Sequence, residues 1–311
     1  MSMMHGLRAK ARLLVVALVA GLSLTGACAH RPPVASPAVA EPAGALTSEQ
    51  ERRAEAVALF AAGVSAEMRR GMDVALDYYR RAFATDPQNV ELGVGIGKVL
   101  VSRREYAEAE ALLHRVAQHS PKSPEPLFWL GVIHKSRDQL PAAVAALQRA
   151  IKLDPQHING IHLLTEIYLL QTNVQDVVKL LDYSYRQKSA DSAYWMRLGD
   201  LFTMSAKQLP VLTNHFDATR AQRSYEKAQA LAPEERDIAL RLAAVYEEQG
   251  DFEKAVALYR AEIKRRPDEV PLRLKLFTLL LRAGDKADAA AELAEVIKRE
   301  PLRPELYNQL A

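Results

Sequence analysis

With 311 residues, the chain is too long for one ordinary compact core and fits either two globular domains or one elongated array. Hydrophobic residues make up 49% but aromatics only 6%, with 14 glycines, so the apolar content is chiefly Ala, Leu and Val, which favours packed helices over sheets. The net charge of +3 rests on Arg8, Lys10 and Arg12; without those three of the 41 basic residues, 38 bases face 38 acids, a balance lacking the excess needed to neutralise phosphates, so nucleic acid is not an expected partner.

The chain opens with a cationic stretch to Arg12, an apolar run from Leu13 to Leu22 and small residues after it, the layout of a secretory signal over residues 1–27. The only cysteine, Cys28, follows directly in Leu24-Thr25-Gly26-Ala27-Cys28 and has no internal disulfide partner. This segment resembles a bacterial lipoprotein signal. The resemblance implies cleavage before Cys28, lipid attachment to it and, with Ala29 rather than Asp next, the periplasmic face of the outer membrane. A cleaved signal that leaves a secreted periplasmic protein, or an inner-membrane anchor over the charge-free run 13–29, is the alternative. Residues 28–46 form a Pro/Ala-rich linker, four prolines among small residues, that would span roughly 50 Å in polyproline form.

Folded sequence is expected from Thr47, with residues 47–55 starting the first helix and Ser48 and Glu51 at capping-box spacing. Prolines at 87, 121 and 155 are 34 apart, as are those at 233, 267 and 301, while 155 to 233 is two such periods plus ten residues. A period of 34 predicts helical hairpins in seven units, 56–89, 90–123, 124–157, 158–191, 192–235, 236–269 and 270–303, the fifth carrying the extra residues, with a terminal half-helix over 304–311. In the third unit, Leu130, Gly131, Ala143, Leu147, Ala150 and Pro155 match the signature of the tetratricopeptide family, which the 56–303 span resembles throughout. The fold class this implies is all-α, a right-handed α-solenoid of about seven such hairpins with a concave inner face.

First helices carry apolar residues at i, i+3, i+4 and i+7, as in Trp195, Leu198, Gly199 and Phe202. Second helices repeat Ala75, Ala109, Ala143, Val177, Ala221, Ala255 and Ala289, small residues that permit close approach, with Gly63, Gly97, Gly131 and Gly199 expected to face them. The fourth unit departs with Thr165, Val177, Ser184 and Ser189, and the seventh with Phe277, so these are expected to be weaker joints.

The resemblance implies that first-helix residues line a partner-binding groove: Phe60, Val94, Phe128, His162, Met196, Leu240 and Leu274, with Val64, Lys98, Val132, Lys135, Glu166 and Asp200 beside them. The same side chains could instead pack between neighbouring hairpins. Flanking positions hold Glu67, Glu91, Glu125, Glu166, Asp200, Asp237, Glu247 and Glu248 against Lys98, Lys135 and Arg282, so the groove is expected to be acidic and to suit basic or amphipathic segments. Phe60 and Val64 stand where a subset of the family clamps C-terminal carboxylates with Lys and Asn, which does not support that activity here. The insert, 203–217 with Pro210 and Asn214, is expected to be a loop that could serve partners or be a tolerated extension.

Other signals carry less. Gly93, Gly95 and Gly97 lack the third glycine and preceding strand of a dinucleotide turn, and the spacing of His114 from His119 and of His157 from His162 does not stack metal ligands on one helical face. Carboxylates fall on solvated faces rather than in catalytic pairs. The expected function is therefore a non-enzymatic, membrane-anchored scaffold binding proteins or peptides, with no cofactor, metal, nucleic acid or small-molecule substrate. The alternative is a chaperone-like holder of unfolded or amphipathic segments in envelope assembly.

Overall fold

The computed structural model describes residues 47–69, 71–214 and 219–300, and Thr47 caps its first helix. The Thr47 backbone N–H donates to the Gln50 side chain (2.8 Å), and the Gln50 N–H donates to the Thr47 hydroxyl (3.3 Å), a reciprocal capping box. The box therefore lies one residue before the expected Ser48 and Glu51, because Thr47 is the last non-helical residue and its hydroxyl is the one within reach of the third helical amide. The signal and Cys28, the 28–46 linker, residues 215–217 of the insert and the 304–311 end lie outside the described residues.

The chain divides into two units, the first running through Ile133 and the second starting at His134. The first contains α1 (Ser48–Arg69), α2 (Met72–Thr85), α3 (Val90–Ser102), α4 (Tyr106–His119) and most of α5 (Glu125–Ser136). The second continues through α6 (Leu140–Leu153), α7 (Ile158–Leu170), α8 (Val174–Tyr185), α9 (Ser192–Gln208), a 3-10 turn at Pro210–Asn214, α10 (Thr219–Leu231), α11 (Arg236–Gln249), α12 (Phe252–Arg265), α13 (Val270–Ala283) and α14 (Lys286–Arg299). No strand occurs among the described residues. In the first unit α1 packs on α2 and α3 on α4; in the second, α7 packs on α8, α9 on α10, α11 on α12 and α13 on α14, each pair also touching the next. Each unit is thus a stack of helical hairpins, the α-solenoid class.

The hairpin turn repeats as faithfully as the prolines. Arg104, Asp138, Thr172, Gly250 and Gly284 occupy the left-handed region, with φ between 51° and 84°. In each case the following N–H reaches back into the first helix: Glu105 to Leu100 O, Gln139 to His134 O, Asn173 to Tyr168 O, Asp251 to Tyr246 O and Asp285 to Leu280 O, at 2.8–2.9 Å. That bond satisfies a carbonyl the helix end would otherwise leave orphaned, and it reverses the chain within two or three residues.

Packing explains the small residues, with one correction. Ala75, Ala109, Ala143, Val177, Ala255 and Ala289 are fully buried, whereas Ala221, in the first turn of α10, is half-buried. The nearest neighbours of Gly63, Gly97 and Gly199 are not the alanines but the large side chains one turn after them. A Cβ on Gly63 would lie 2.4 Å from the Tyr79 ring, on Gly97 2.9 Å from Leu113, and on Gly199 2.7 Å from Tyr225. Alanine brings the two backbones together, and the large side chain one turn later then needs the space a glycine leaves. Gly93 plays the same part for Val116 (2.5 Å) and Phe83 (2.8 Å), so the glycine run of α3 makes packing slots on a helix.

The irregular fourth and seventh hairpins are accommodated locally. Thr165 and Ser184 are fully buried, and their hydroxyls donate to Ile161 O and Leu180 O at 2.8 Å, so each fills a small-residue slot without an orphaned polar atom. Phe277 is buried in a core cluster that also contains Leu293, Tyr259 and Ala243.

The insert is not simply a loop. Thr203 to Gln208 contains neither Gly nor Pro, and α9 continues through it until Leu209, which precedes Pro210 and leaves the helical region. The 3-10 turn then packs on α9 and α8 with Leu212 fully buried.

Candidate functional site

The first-helix positions separate into core and surface once burial is known. In the first unit, Phe60 is half-buried with its ring 5.4 Å from Tyr79, Val64 is half-buried, and Phe128 meets Trp129 edge-on at 5.3 Å. The Lys98 ammonium lies 5.4 Å over the Trp129 ring, a cation–π contact, and Val132 is half-buried. Val94 is buried and belongs to the core, so it is removed from the candidate surface.

In the second unit, Met196, Leu240 and Leu274 are partly exposed and pack against one core cluster, so the stripe both joins neighbouring hairpins and remains open to a partner. Lys135 donates to Glu166 (2.6 Å), and exposed His162 sits 3.8 Å from the same carboxylate.

The acidic groove expected from residue counts needs correction in this unit, because carboxylates meet bases one hairpin away. Glu166 pairs with Lys135, Asp200 with Arg241 (2.6 Å), Glu248 with Lys207 (3.7 Å) and Glu247 with Arg282. Arg241 and Lys207 were missing from the count because neither stands at a first-helix signature site. A parallel set joins second helices: Arg80 to Glu108 (2.7 Å) in the first unit, Arg220 to Asp182 and Arg260 to Asp288 in the second. Exposed pairs of this kind contribute only about 0–1 kcal/mol each, so they set register and surface charge more than stability.

Core-rooted tyrosines reach these surface acids. The Tyr79 hydroxyl donates to Glu67 (3.1 Å) and the Tyr225 hydroxyl to Asp200 (2.8 Å), each ring threading past the glycine described above. Burial first and Asp200 second push the Tyr225 hydroxyl well above the usual phenol range. In the same way burial and Glu226, which accepts from Tyr246 (2.8 Å), raise the Tyr246 hydroxyl. Sequence spacing marks these tyrosines as packing residues and gives no sign that their hydroxyls emerge at the surface.

A cleft of about 510 Å³ opens between α9 and α11, lined on one side by Asp200, Thr203, Met204 and Lys207 and on the other by Arg241, Val245 and Glu248. Among the described residues no group of three or more His, Cys, Asp or Glu is placed to hold a metal ion, and no helix is long and apolar enough to cross a membrane.

Known proteins share this pattern. A tetratricopeptide repeat model matches residues 72–127, 100–166 and 248–311, together more than half of the chain, and a second tetratricopeptide model matches 217–270. The chain is 26% identical over 201 residues to the CTR9 homolog of Arabidopsis thaliana, covering 62% of this chain and 17% of that one. It is 26% identical over 195 residues to human Superkiller complex protein 3, covering 62% and 10%, and 32% identical over 119 residues to BBSome complex member BBS4 of Xenopus tropicalis, covering 38% and 22%. The chain therefore corresponds to less than a quarter of the length of each of these relatives. In structure it is similar to the C-terminal part of a tetratricopeptide repeat-containing protein from Cytophaga hutchinsonii, at a TM-score of 0.55 and 15% identity over 83% of this chain and 99% of that one. Repeat period, hairpin packing and family match agree: this chain belongs to the tetratricopeptide repeat family.

Proposed function

We propose that this chain is an adaptor of the bacterial envelope, anchored by lipid on Cys28 at the periplasmic face of the outer membrane, whose first-helix surfaces dock proteins or peptides. Proteins of the tetratricopeptide family act as protein-interaction scaffolds, and two of the relatives above are members of named protein complexes. One observation carries the reading: Phe60, Phe128, Met196 and Leu240 recur at one repeat position and keep part of their apolar surface in solvent. Apolar side chains left half-open on a rigid helical frame are the material from which binding hot spots are made. The anchor rests on the sequence of residues 1–28 alone.

Two substitutions test the two halves of the proposal. Cys28→Ser abolishes incorporation of a clickable fatty acid and releases the protein into the soluble periplasmic fraction; labelling that persists rejects the anchor. Phe128→Glu combined with Met196→Glu removes the partners trapped by crosslinking in cells while far-ultraviolet circular dichroism stays unchanged. Crosslinks that survive move the docking surface off the first helices.

A further inference from the structure

We propose that the cleft between α9 and α11 receives a basic side chain of a bound protein segment, an arginine or lysine whose head reaches Asp200 while its methylene stem lies on Met204, Ala244 and Val245. The inference rests on the scaffold reading above and assigns one specific subsite to it.

The run-on of α9 beyond the length of its neighbours extends this cleft. Lys207 and Gln208 lie in the added turn, and because α9 continues as a helix they fall, with Asp200, Thr203 and Met204, on one face at i, i+3, i+4, i+7 and i+8. Across from them Arg241, Ala244, Val245 and Glu248 take the same spacing on α11. Two acids and two bases line the walls, so net charge does not choose the ligand.

What chooses is which charge is held in place. The Tyr225 hydroxyl donates to Asp200 Oδ1 at 2.8 Å from a ring that is only 3% exposed and seated against Gly199. Arg241 donates to the same oxygen at 2.6 Å, so both bonds land on Oδ1 and Oδ2 keeps its acceptor capacity. The anion is thus pre-positioned by the core, and pre-organisation is what converts a contact into affinity. The cations are not held in this way: Lys207, 68% exposed, meets Glu248 at 3.7 Å, and Arg241 is 45% exposed. A cationic ligand needs only Arg241 to swing off Asp200, breaking an exposed pair of little worth. An anionic ligand would have to gather two solvated cations beside a fixed carboxylate. The floor fits the long stem of lysine or arginine, with a polarisable thioether and small aliphatic groups beneath it.

The test uses the whole described protein and two blocked pentapeptides, Ala-Leu-Arg-Leu-Ala and Ala-Leu-Glu-Leu-Ala, titrated against the ¹⁵N-labelled chain. The arginine peptide shifts amides in 200–208 and 241–248 and binds at least about tenfold more tightly than the glutamate peptide. Asp200→Asn loses about tenfold, and Tyr225→Phe weakens binding severalfold with unchanged helical circular dichroism. Arg241→Gln tightens binding, because it removes the internal competitor; a merely structural role for the Asp200–Arg241 pair would give no gain. Preference for the glutamate peptide, loss of binding in Arg241→Gln, or no saturable binding of either peptide at millimolar concentration overturns the proposal. If the cleft fails while Phe128→Glu with Met196→Glu still removes the crosslinked partners, the scaffold reading stands and this subsite falls.

Discussion

Gly199→Ala should destabilise the fifth hairpin although alanine is the better helix former. An added Cβ would meet three atoms of the Tyr225 ring at 2.7, 2.8 and 2.9 Å. The ring cannot easily give way, because it is almost fully buried in a cluster with Leu242, Ala243 and Val245. Forcing a methyl into such a site costs about 1–3 kcal/mol. Replacing glycine inside a helix returns about 0.5–1 kcal/mol, so the net loss is about 0–2.5 kcal/mol. Tyr225→Ala removes the ring altogether, and in that background Gly199→Ala should be neutral or favourable, giving a coupling of about 1–3 kcal/mol, the overpacking cost, in the double-mutant cycle. Because stacked repeats open locally, urea unfolding should be paired with amide exchange in α9 and α10. A Gly199→Ala protein as stable as the parent, with no coupling to Tyr225, would refute the claim that glycine is there for the ring.

Thr172→Gly should stabilise the fourth hairpin by about 0.5–1 kcal/mol, because a β-branched residue at φ 51° is strained where Gly250 and Gly284 are not; the midpoint of urea unfolding reads it, and an unchanged or lowered midpoint rejects it. Alkaline pH should unfold the chain through its buried phenols. Burial is the leading cause that raises the hydroxyls of Tyr194, Tyr225 and Tyr246 in the folded state. The stability this represents is fully present below the unfolded phenol value of about 10 and is lost as pH climbs from there towards the folded values. Absorbance at 295 nm should show these three ionising only together with the loss of helical circular dichroism.

The 34-residue period carried most of the fold, because a hairpin that cannot bury its apolar face alone must repeat its packing residues at fixed spacing. What the period could not place is what depends on contact between repeats. Arg241 and Asp200 are 41 residues apart, and Lys207 and Glu248 likewise, so the pairs that neutralise this face are invisible to a count of charges at signature positions. The Tyr225 hydroxyl is a second case, since the alternation that marks its ring as core is silent on the atom at its tip. Val94 shows the opposite failure, a position that stays partly open in other hairpins and is buried here. Arg273 is a third: buried and donating to Glu292 at 2.7 Å and to Pro267 O at 3.1 Å, it stands where other first helices place Leu127, Ile161 or Trp195, and no local pattern announces it.

One irregularity was legible, and its physical consequence follows from the regular joints around it. In the second unit, first helices α7, α11 and α13 run 13 or 14 residues and end at the same left-handed turn or its equivalent, so neighbours finish flush. The ten inserted residues remove that stop from α9, which runs 17 residues before Leu209 and Pro210 end it. Leu212 then buries itself on α9 and α8, pinning the overhang rather than leaving it to fray. An overhanging helix beside a shorter neighbour leaves a step, and here the step extends the cleft that Asp200 lines. The same insertion therefore breaks the repeat and supplies Lys207 and Gln208 to the rim of the recess.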